Sequence, residues 1–199
     1  MANDIDISVF ICSRKRIEGL REAVESTYTL ASHPERVQVL LRVDEDDPTT
    51  VFFATEELSK KYPFLEVIVG VPFDFKDLWM VYRDLAALCT GDIIVPFTDD
   101  YLVGSKGWDD HLLGFREDCL VVSAYARLAI TRKAYDKYEY IRNMTGKNDA
   151  LDQRIVIFAK ENRCYKRVNK WYVRNCKAPE SLEDRIKIVH GIREKNGRF

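Results

Sequence analysis

The chain has 199 residues and a formal net charge of −1, with 46% hydrophobic and 32% charged residues, which is typical of one folded domain and excludes a disordered or fibrous protein. Its longest apolar runs are too short to cross a bilayer, and the acidic start at 1–10 lacks the basic segment of a secretory leader, so we expect a cytoplasmic protein without a membrane span. Five cysteines without a closely spaced pair predict reduced thiols and argue against disulfides and a zinc site.

Strands and helices are predicted to alternate over the first hundred residues. The β-branched run at 5–12 predicts a strand buried on both faces, and apolar residues at helical spacing predict a helix that ends at 32–34. The next predicted elements are a strand at 37–43, a helix at about 50–61, a strand at 65–70, a helix over 78–88 and a strand at 92–97. This order predicts an α/β fold with a doubly wound, mostly parallel sheet flanked by helices.

The second half of the chain is less regular. A short helix is predicted in "WDDHLLGFRE", a strand in "CLVVSA", helices in "TRKAYDKYEYI" and "DALDQRIVIFAKEN", and a short strand around "CYKRVN". The final stretch, "HGIREKNGRF", has two glycines and little to bury, so it predicts a mobile tail. No repeat or linker divides the sequence, which therefore predicts a single domain over 1–199.

Polar residues follow the first two predicted strands, at the edge where an open α/β sheet binds its ligands. Basic side chains at one strand end and carboxylates at the next suit a ligand that carries phosphates together with a base or a sugar. The residues in question are Ser13, Arg14, Arg16, Asp44 and Asp46.

The fourth strand ends in two adjacent carboxylates, Asp99 and Asp100. Two neighbouring negative charges repel each other unless a positive group lies between or beyond them. Hard cations such as Mg²⁺ and Mn²⁺ prefer oxygen ligands, so the pair predicts a cation held against a diphosphate. The alternative is that one of them caps a helix, which the segment "YLVGSKG" after the pair disfavours.

These residues resemble GT-A glycosyltransferases, close to the family-2 type, in a compact virus-encoded form. The similar motifs are "VFICSRKR", "VLLRVDEDDP", "TGDIIVPFTDD" and the "GWD" segment, and they cover 5–115 well and the remainder loosely. The resemblance implies transfer of a hexose or pentose from a nucleoside diphosphate sugar, expected to be a UDP-sugar, with Mn²⁺ or Mg²⁺. It divides the domain into a donor-binding half, 1–103, and a smaller basic acceptor-binding half with the tail, 104–199, in the cytoplasm of a host cell if the protein is viral.

The resemblance also implies roles for the donor-binding residues. Asp44 and Asp46 would contact the nucleobase and ribose, and 98–100 matches the DXD-type motif, with Asp99 on the donor and Asp100 as the direct metal ligand. The chain departs from the family pattern in the helix before this motif, where it has Arg83-Asp84 instead of the Asn that is common there.

Three residues of the C-terminal tail fit a further part of the pattern. Related enzymes often supply another metal ligand from a C-terminal His and clamp the diphosphate with basic residues after it. His190, Arg193 and Lys195 match this arrangement. A lone His is as often structural, so both interpretations stay open.

The catalytic base of the family is usually a carboxylate that opens a helix in the second half. The nearest match is "GKNDALDQRI", where Asp149 is the first candidate and Asp152 is the alternative on the same helical face. Either carboxylate could instead stabilise the helix N-terminus through the helix dipole. The family's Glu-Asp pair is absent at this position.

The acceptor is predicted from the charge of the second half. Residues 1–125 carry a net charge of −11 and 126–199 carry +10, which favours a polyanionic partner, although two halves of opposite charge could simply attract each other. Cations interleaved with aromatic rings in "RCYKRVNKWYVRNCK" are typical of a nucleic-acid surface, but the rings could equally form one core face. The predicted acceptor-binding residues are Trp108, Asp109, Lys166, Arg167, Lys170 and Trp171. Trp108 is expected to belong half to the core and half to the wall of the acceptor site.

The favoured acceptor is therefore DNA that carries a hydroxymethylated pyrimidine, which would have to leave the base stack to react. A saccharide or another small molecule is the alternative acceptor. Two other classes stay open: a nucleotidyltransferase, which would be expected to have a Gly-rich loop after the first strand, and a nucleic-acid-binding protein without catalysis.

Overall fold

Strands and helices alternate through the part of the chain that the computed structural model describes, which is residues 5–74, 77–113, 115, 120–123, 128–138, 151–168 and 173–175. The strands in these ranges are β1 (Ile7–Ser13), β2 (Val37–Asp44), β3 (Leu65–Gly70), β4 (Ile93–Thr98), β5 (Tyr101–Val103), β6 (Leu120–Ser123), β7 (Leu128–Thr131), β8 (Tyr165–Val168) and β9 (Val173–Asn175).

The helices in the same ranges are α1 (Ile17–Thr29), α2 (Pro48–Phe52), α3 (Ser59–Lys61), α4 (Leu78–Leu88), α5 (Asp110–Leu113), α6 (Arg132–Lys137) and α7 (Leu151–Glu161). A π-helical stretch, Phe53–Leu58, joins α2 to α3, and a short 3₁₀ turn, Pro34–Arg36, precedes β2. None of the described helices is long and apolar enough to cross a bilayer.

Seven of the described strands form one sheet in the order β3-β2-β1-β4-β7-β6-β8. The first four pair in parallel, and β8 also pairs in parallel with β6, whereas β7 runs antiparallel to both of its neighbours. The other two, β5 and β9, form an antiparallel pair of their own. The predicted α/β class and mostly parallel sheet are confirmed.

The central strand β1 explains why both faces of the sheet are covered. Val9 and Ile11 belong to one apolar cluster, with α1 and the π-helical stretch, while Phe10 and Cys12 belong to the cluster on the other face, with α4. Side chains alternate along a strand, so an unbroken apolar run supplies both clusters. Each fully buried large apolar side chain stabilises the fold by about 1.5–3 kcal/mol.

The strand order positions the site. The chain builds outward from β1 to β3 and then crosses to β4 on the other side of β1, so the order reverses beside β1. Ligands bind at such a reversal, outside the carboxyl ends of the strands. The Asp99 N–H donates to Cys12 O at 3.1 Å, which fixes the ends of β1 and β4 side by side.

Three of the short strands were not predicted. β5, β7 and β9 have three or four residues each, which is too few to show an alternating pattern. The predicted helix at 50–61 is present, but part of it is π-helical. The predicted mobile tail lies outside the described residues.

Candidate functional site

A cavity of about 220 Å³ opens at the carboxyl ends of β1, β2 and β4. Beside it runs a groove of about 770 Å³ between β3 and α4, and the two share Arg14 and Phe73 in their walls. The structure brings together most of the residues predicted at the strand ends. The cavity is lined by Cys12, Ser13, Arg14, Arg16, Asp44, Phe73, Leu78, Thr98, Asp99 and Asp100.

Asp99 is anchored to the loop after β1. The Ser13 hydroxyl donates to Asp99 Oδ2 at 2.8 Å, and Arg16 Nη1 donates to Oδ1 at 2.7 Å. Burial raises the pKa of Asp99, while the Ser13 hydrogen bond and the Arg16 charge oppose the rise. Helix α1 also packs closely against the backbone of Asp99. A Cβ on Gly19 of this helix would lie only 2.7 Å from Asp99 O. Both carboxylate oxygens of Asp99 are therefore engaged within the protein.

Asp100 is the better candidate for a metal ligand. It is buried, lines the cavity, and accepts a hydrogen bond on Oδ1 from the Thr98 hydroxyl. Among the described residues, groups of three His, Cys, Asp or Glu side chains that could hold a metal are absent. A carboxylate at a strand end that lines a cavity suits Mg²⁺ or Mn²⁺, since these cations prefer oxygen ligands, keep several waters and take further ligands from substrate phosphates.

Asp44 presents a buried acceptor to the same cavity. Its side chain is 1% exposed, Arg42 Nη1 lies 3.0 Å from Oδ1, and Arg14 Nε lies 3.5 Å from Oδ2. Oδ2 accepts no hydrogen bond from the described residues. Burial raises the pKa of Asp44, against the charges of Arg42 and Arg14. A buried acceptor without a donor is unfavourable, so Oδ2 suits an N–H or O–H of a ligand.

Asp46 and Asp47 connect the loops after β1 and β2. Arg14, which is half-exposed, also forms an ion pair with the exposed Asp46. Lys15 has a positive φ of 56°, and its N–H donates to Asp47 Oδ2 at 2.6 Å. Asp47 Oδ1 caps α2 by accepting from Thr50 N–H. Burial alone would raise the pKa of Asp47, but these hydrogen bonds lower it below its ordinary value.

We expect Asp47→Ala to lower the free energy of unfolding by about 0.5–2 kcal/mol near neutral pH, the usual effect of removing a helix cap. Asp47→Asn keeps a capping oxygen and removes only the charge. Because the folded-state pKa is lowered, the charge stabilises the protein above the ordinary Asp pKa, and this contribution is lost as the pH falls through the folded-state pKa. Urea unfolding over a pH series checks this, and a difference between wild type and Asp47→Asn that did not shrink at low pH would contradict it.

Trp108 and Asp109 are both buried, which agrees with the expected core role of Trp108 and corrects the predicted exposure of the two side chains to an acceptor. Trp108 is 0% exposed and its Nε1–H donates to Thr27 O at 2.9 Å. Asp109 is 1% exposed and accepts the N–H groups of Ser32 and His33 at 2.8 and 2.7 Å. These bonds tie the start of α5 to the end of α1, and neither side chain presents surface to an acceptor.

The remaining predicted residues are distributed as follows. Lys166 is exposed on β8, Arg167 is the next residue of that strand, and Asp152 belongs to α7. The others lie outside the described residues, and they are Asp149, Lys170, Trp171, His190, Arg193 and Lys195.

Two residues near the site were not predicted from the sequence. Arg42 stands in the otherwise apolar run "VQVLLRV", two positions before Asp44, and a charged residue there is the signal that could have identified it. Phe73 lies in the segment after β3 and lines both the cavity and the groove.

No protein-family model and no curated protein matches this chain. Among solved structures, residues 1–349 of TarS from S. aureus are similar with a TM-score of 0.65 and 12% identity, covering 96% of this chain and 65% of that one. A mannosyltransferase from Pyrobaculum calidifontis, PcManGT, in complex with GDP-Man and Mn²⁺, has a TM-score of 0.60 and 12% identity over 84% of this chain and 55% of that one. The 4-diphosphocytidyl-2C-methyl-D-erythritol synthase from Anaerococcus prevotii has a TM-score of 0.60 and 14% identity over 95% and 96%.

The fold is GT-A-like. This confirms the predicted fold class, and it agrees with a ligand cavity at the carboxyl ends of β1 and β4. At 12–14% identity the likeness is one of fold, and this chain spans 55% of PcManGT and 65% of the TarS fragment. The family-2 type and the virus-encoded form of the GT-A resemblance stay predictions.

Proposed function

We propose that this protein is a metal-dependent glycosyltransferase that moves a sugar from a nucleoside diphosphate sugar, expected to be a UDP-sugar, to an acceptor hydroxyl. The observation that supports this most is that Asp44, Asp100 and the anchored Asp99 line one cavity at three strand ends. The cavity continues past Arg14 and Phe73 into the larger groove, which gives room for a ligand of nucleotide size.

In the proposed mechanism, Asp44 accepts a hydrogen bond from the nucleoside, and Asp100 is the residue that would hold the cation. A bound Mn²⁺ or Mg²⁺ would act as a Lewis acid that stabilises the negative charge of the leaving diphosphate. Ser13 and Arg16 keep Asp99, and with it the end of β4, in place.

The bond between the anomeric carbon and the diphosphate oxygen breaks with its electron pair on the diphosphate. The acceptor oxygen bonds to the anomeric carbon, and its proton passes to a carboxylate base, for which Asp149 is the first candidate and Asp152 the alternative. By the resemblance to GT-A glycosyltransferases, His190 would be a further ligand of the cation, and Arg193 and Lys195 would bind the diphosphate.

One test of this function compares two classes of donor. The protein is incubated with Mn²⁺ and a panel of UDP-, GDP- and CDP-sugars, and release of the nucleoside diphosphate is followed. A parallel series uses the nucleoside triphosphates and follows pyrophosphate. We expect release from a nucleotide sugar, and pyrophosphate release alone would overturn the proposal.

The second series is included because nucleotidyl transfer is the alternative with an observation in its favour. The 4-diphosphocytidyl-2C-methyl-D-erythritol synthase matches this chain over nearly the whole length of both. Against it, the segment "CSRKRIEG", which runs from the end of β1 into α1, has no Gly-rich stretch.

The proposal of a DNA acceptor is supported only by the positive charge of the second half of the sequence. The names of the three neighbours given above do not mention DNA, and the support is the net charge of +10 over 126–199, with Lys166 exposed on β8. We keep a hydroxymethylated pyrimidine in DNA as the proposed acceptor, with a saccharide as the alternative. Transfer of labelled sugar to hydroxymethylated DNA, to matched unmodified DNA and to small saccharides separates them, and label on a saccharide alone would remove DNA from the proposal.

If DNA binds to the basic half, the logarithm of the affinity for duplex DNA should fall linearly with the logarithm of the salt concentration. The slope should be about −0.9 per phosphate contacted. Replacing Lys166, Arg167 and Lys170 by Ala should flatten this slope by up to about 2.7 without changing nucleotide release. The matched control replaces Lys60, Lys61 and Lys106 by Ala. These are three exposed lysines within residues 1–125, the part of the chain with a net charge of −11. Equal effects of the two triple variants would contradict a specific surface, and a salt-dependent complex without any transfer would favour a binding protein.

A further inference from the structure

Arg42 is a buried charge in the middle of the parallel sheet. It lies on β2 with 7% of its surface exposed, on the same face of the strand as Leu40 and Asp44. A buried guanidinium is strongly unfavourable unless each of its donors is paired. Its partners therefore show what the residue does in the fold.

The guanidinium of Arg42 joins the end of β2 to the segment after β3. Nη1 donates to Asp44 Oδ1 at 3.0 Å and to Val43 O, and Nη2 donates to Val71 O. The same group lies over the Phe73 ring, 5.6 Å from its centroid. Gly70 leaves space for it, since a Cβ there would lie 2.7 Å from Arg42 Nη2.

These contacts meet at the wall of the cavity. Asp44 and Phe73 both line the 220 Å³ cavity, whereas Arg42 lines only the neighbouring groove. Arg42 therefore acts on the cavity through two other side chains. It occupies Asp44 Oδ1, so that Oδ2 is the oxygen that accepts no hydrogen bond from the described residues.

We propose that Arg42 is a positioning residue for the nucleoside end of the donor: it fixes the Asp44 carboxylate and the Val71–Phe73 segment relative to each other, so that one acceptor oxygen and one aromatic ring form the nucleoside wall. The inference rests on the proposed function. It adds Arg42 to the residues of the site and divides the site into two parts. The nucleoside end depends on Arg42, and the diphosphate end depends on Asp100.

The test measures the two ends of the ligand separately. Binding of UDP, GDP, CDP and ADP, and of inorganic pyrophosphate, each with Mn²⁺, is determined by calorimetry on the full chain. Arg42→Met keeps the length of the apolar stem and removes every donor. We expect it to weaken the best nucleoside diphosphate by about 10- to 100-fold, the effect of losing a hydrogen bond to a charged group, and to leave pyrophosphate unchanged. Arg42→Lys should recover part of the loss.

The matched control is Arg36→Met. Arg36 pairs with the buried Asp6 at the opposite end of β2, so this variant also removes an arginine from an ion pair with a buried carboxylate. We expect it to affect stability and to leave all of the ligand affinities unchanged. A loss of nucleoside affinity in Arg36→Met equal to that in Arg42→Met would overturn the assignment.

Gly70→Ala tests the inference with Arg42 in place, and it decides the question if Arg42→Met does not fold. The added methyl displaces the guanidinium, so we expect the same selective loss of nucleoside affinity. In the Arg42→Met background the same change should have little further effect, because the group it displaces is gone.

The outcomes separate this inference from the proposed function. If the wild type binds pyrophosphate and none of the four nucleotides, the proposed function fails and this inference fails with it. If the wild type binds a nucleotide and Gly70→Ala and the Arg42 variants bind it equally well, only the inference is overturned. Equal loss of nucleotide and pyrophosphate in Arg42→Met would show a general effect on the fold and would also overturn it.

Discussion

Asp100→Ala is expected to reduce sugar transfer by about 10³-fold or more and to leave the protein folded. The loss follows because a cation that stabilises the leaving diphosphate contributes several kcal/mol to the transition state, and each 1.4 kcal/mol is about a factor of ten. Stability should change little, because relief of the charge repulsion beside the buried Asp99 opposes the loss of the hydrogen bond from the Thr98 hydroxyl. Turnover with a nucleotide sugar and Mn²⁺, together with thermal unfolding, measures both effects.

Two control variants make this prediction specific. Asp92→Ala removes an exposed carboxylate at the opposite end of β4 and should keep full activity. Asp99→Ala should instead destabilise the protein by about 1–3 kcal/mol, since it leaves Ser13 and Arg16 without their partner. EDTA should abolish transfer by the wild type. Full turnover by Asp100→Ala, or by the wild type in EDTA, would show that Asp100 holds no essential metal.

The residues at the carboxyl ends of β1, β2 and β4 were predictable because the sequence patterns that indicate them are local. An unbroken apolar run predicts a strand covered on both faces, and the polar residue that follows it must lie at the strand end. Parallel strands place such ends at one edge, so Ser13, Asp44 and Asp100 could be predicted to lie close together before the sheet order was known.

Burial of individual polar side chains was not predictable, because their partners are distant in sequence. Asp109 follows Trp108 in a motif that resembles an acceptor segment, yet its carboxylate accepts from backbone groups 76 and 77 residues earlier. Arg42 is paired with Val71, which lies 29 residues away. Composition and periodicity carry no information on such pairs. Only the packed structure shows which buried charged residues have hydrogen-bond partners within the protein.

The proposed catalytic base is the second position at which a single substitution should have a large effect on turnover. Asp149 lies two residues before the described start of α7 at Leu151 in the sequence, and Asp152 is the second residue of that helix. A carboxylate near a helix N-terminus is kept ionised by the positive end of the helix dipole, and a base must be ionised to accept a proton. This general property is the reason for proposing a carboxylate at the start of α7 as the base.

Asp149→Asn is expected to lower kcat by about 10²–10⁴-fold and to leave the affinity for the nucleoside diphosphate nearly unchanged, because a general base acts on the acceptor in the transition state. Glu161→Gln is the matched control, since it neutralises an exposed carboxylate at the other end of α7. If Asp152→Asn gives the large loss in kcat instead, the base lies one turn further along the helix. If both variants turn over at the rate of the control, the base lies outside this helix, and the resemblance in "GKNDALDQRI" reflects only the start of a helix.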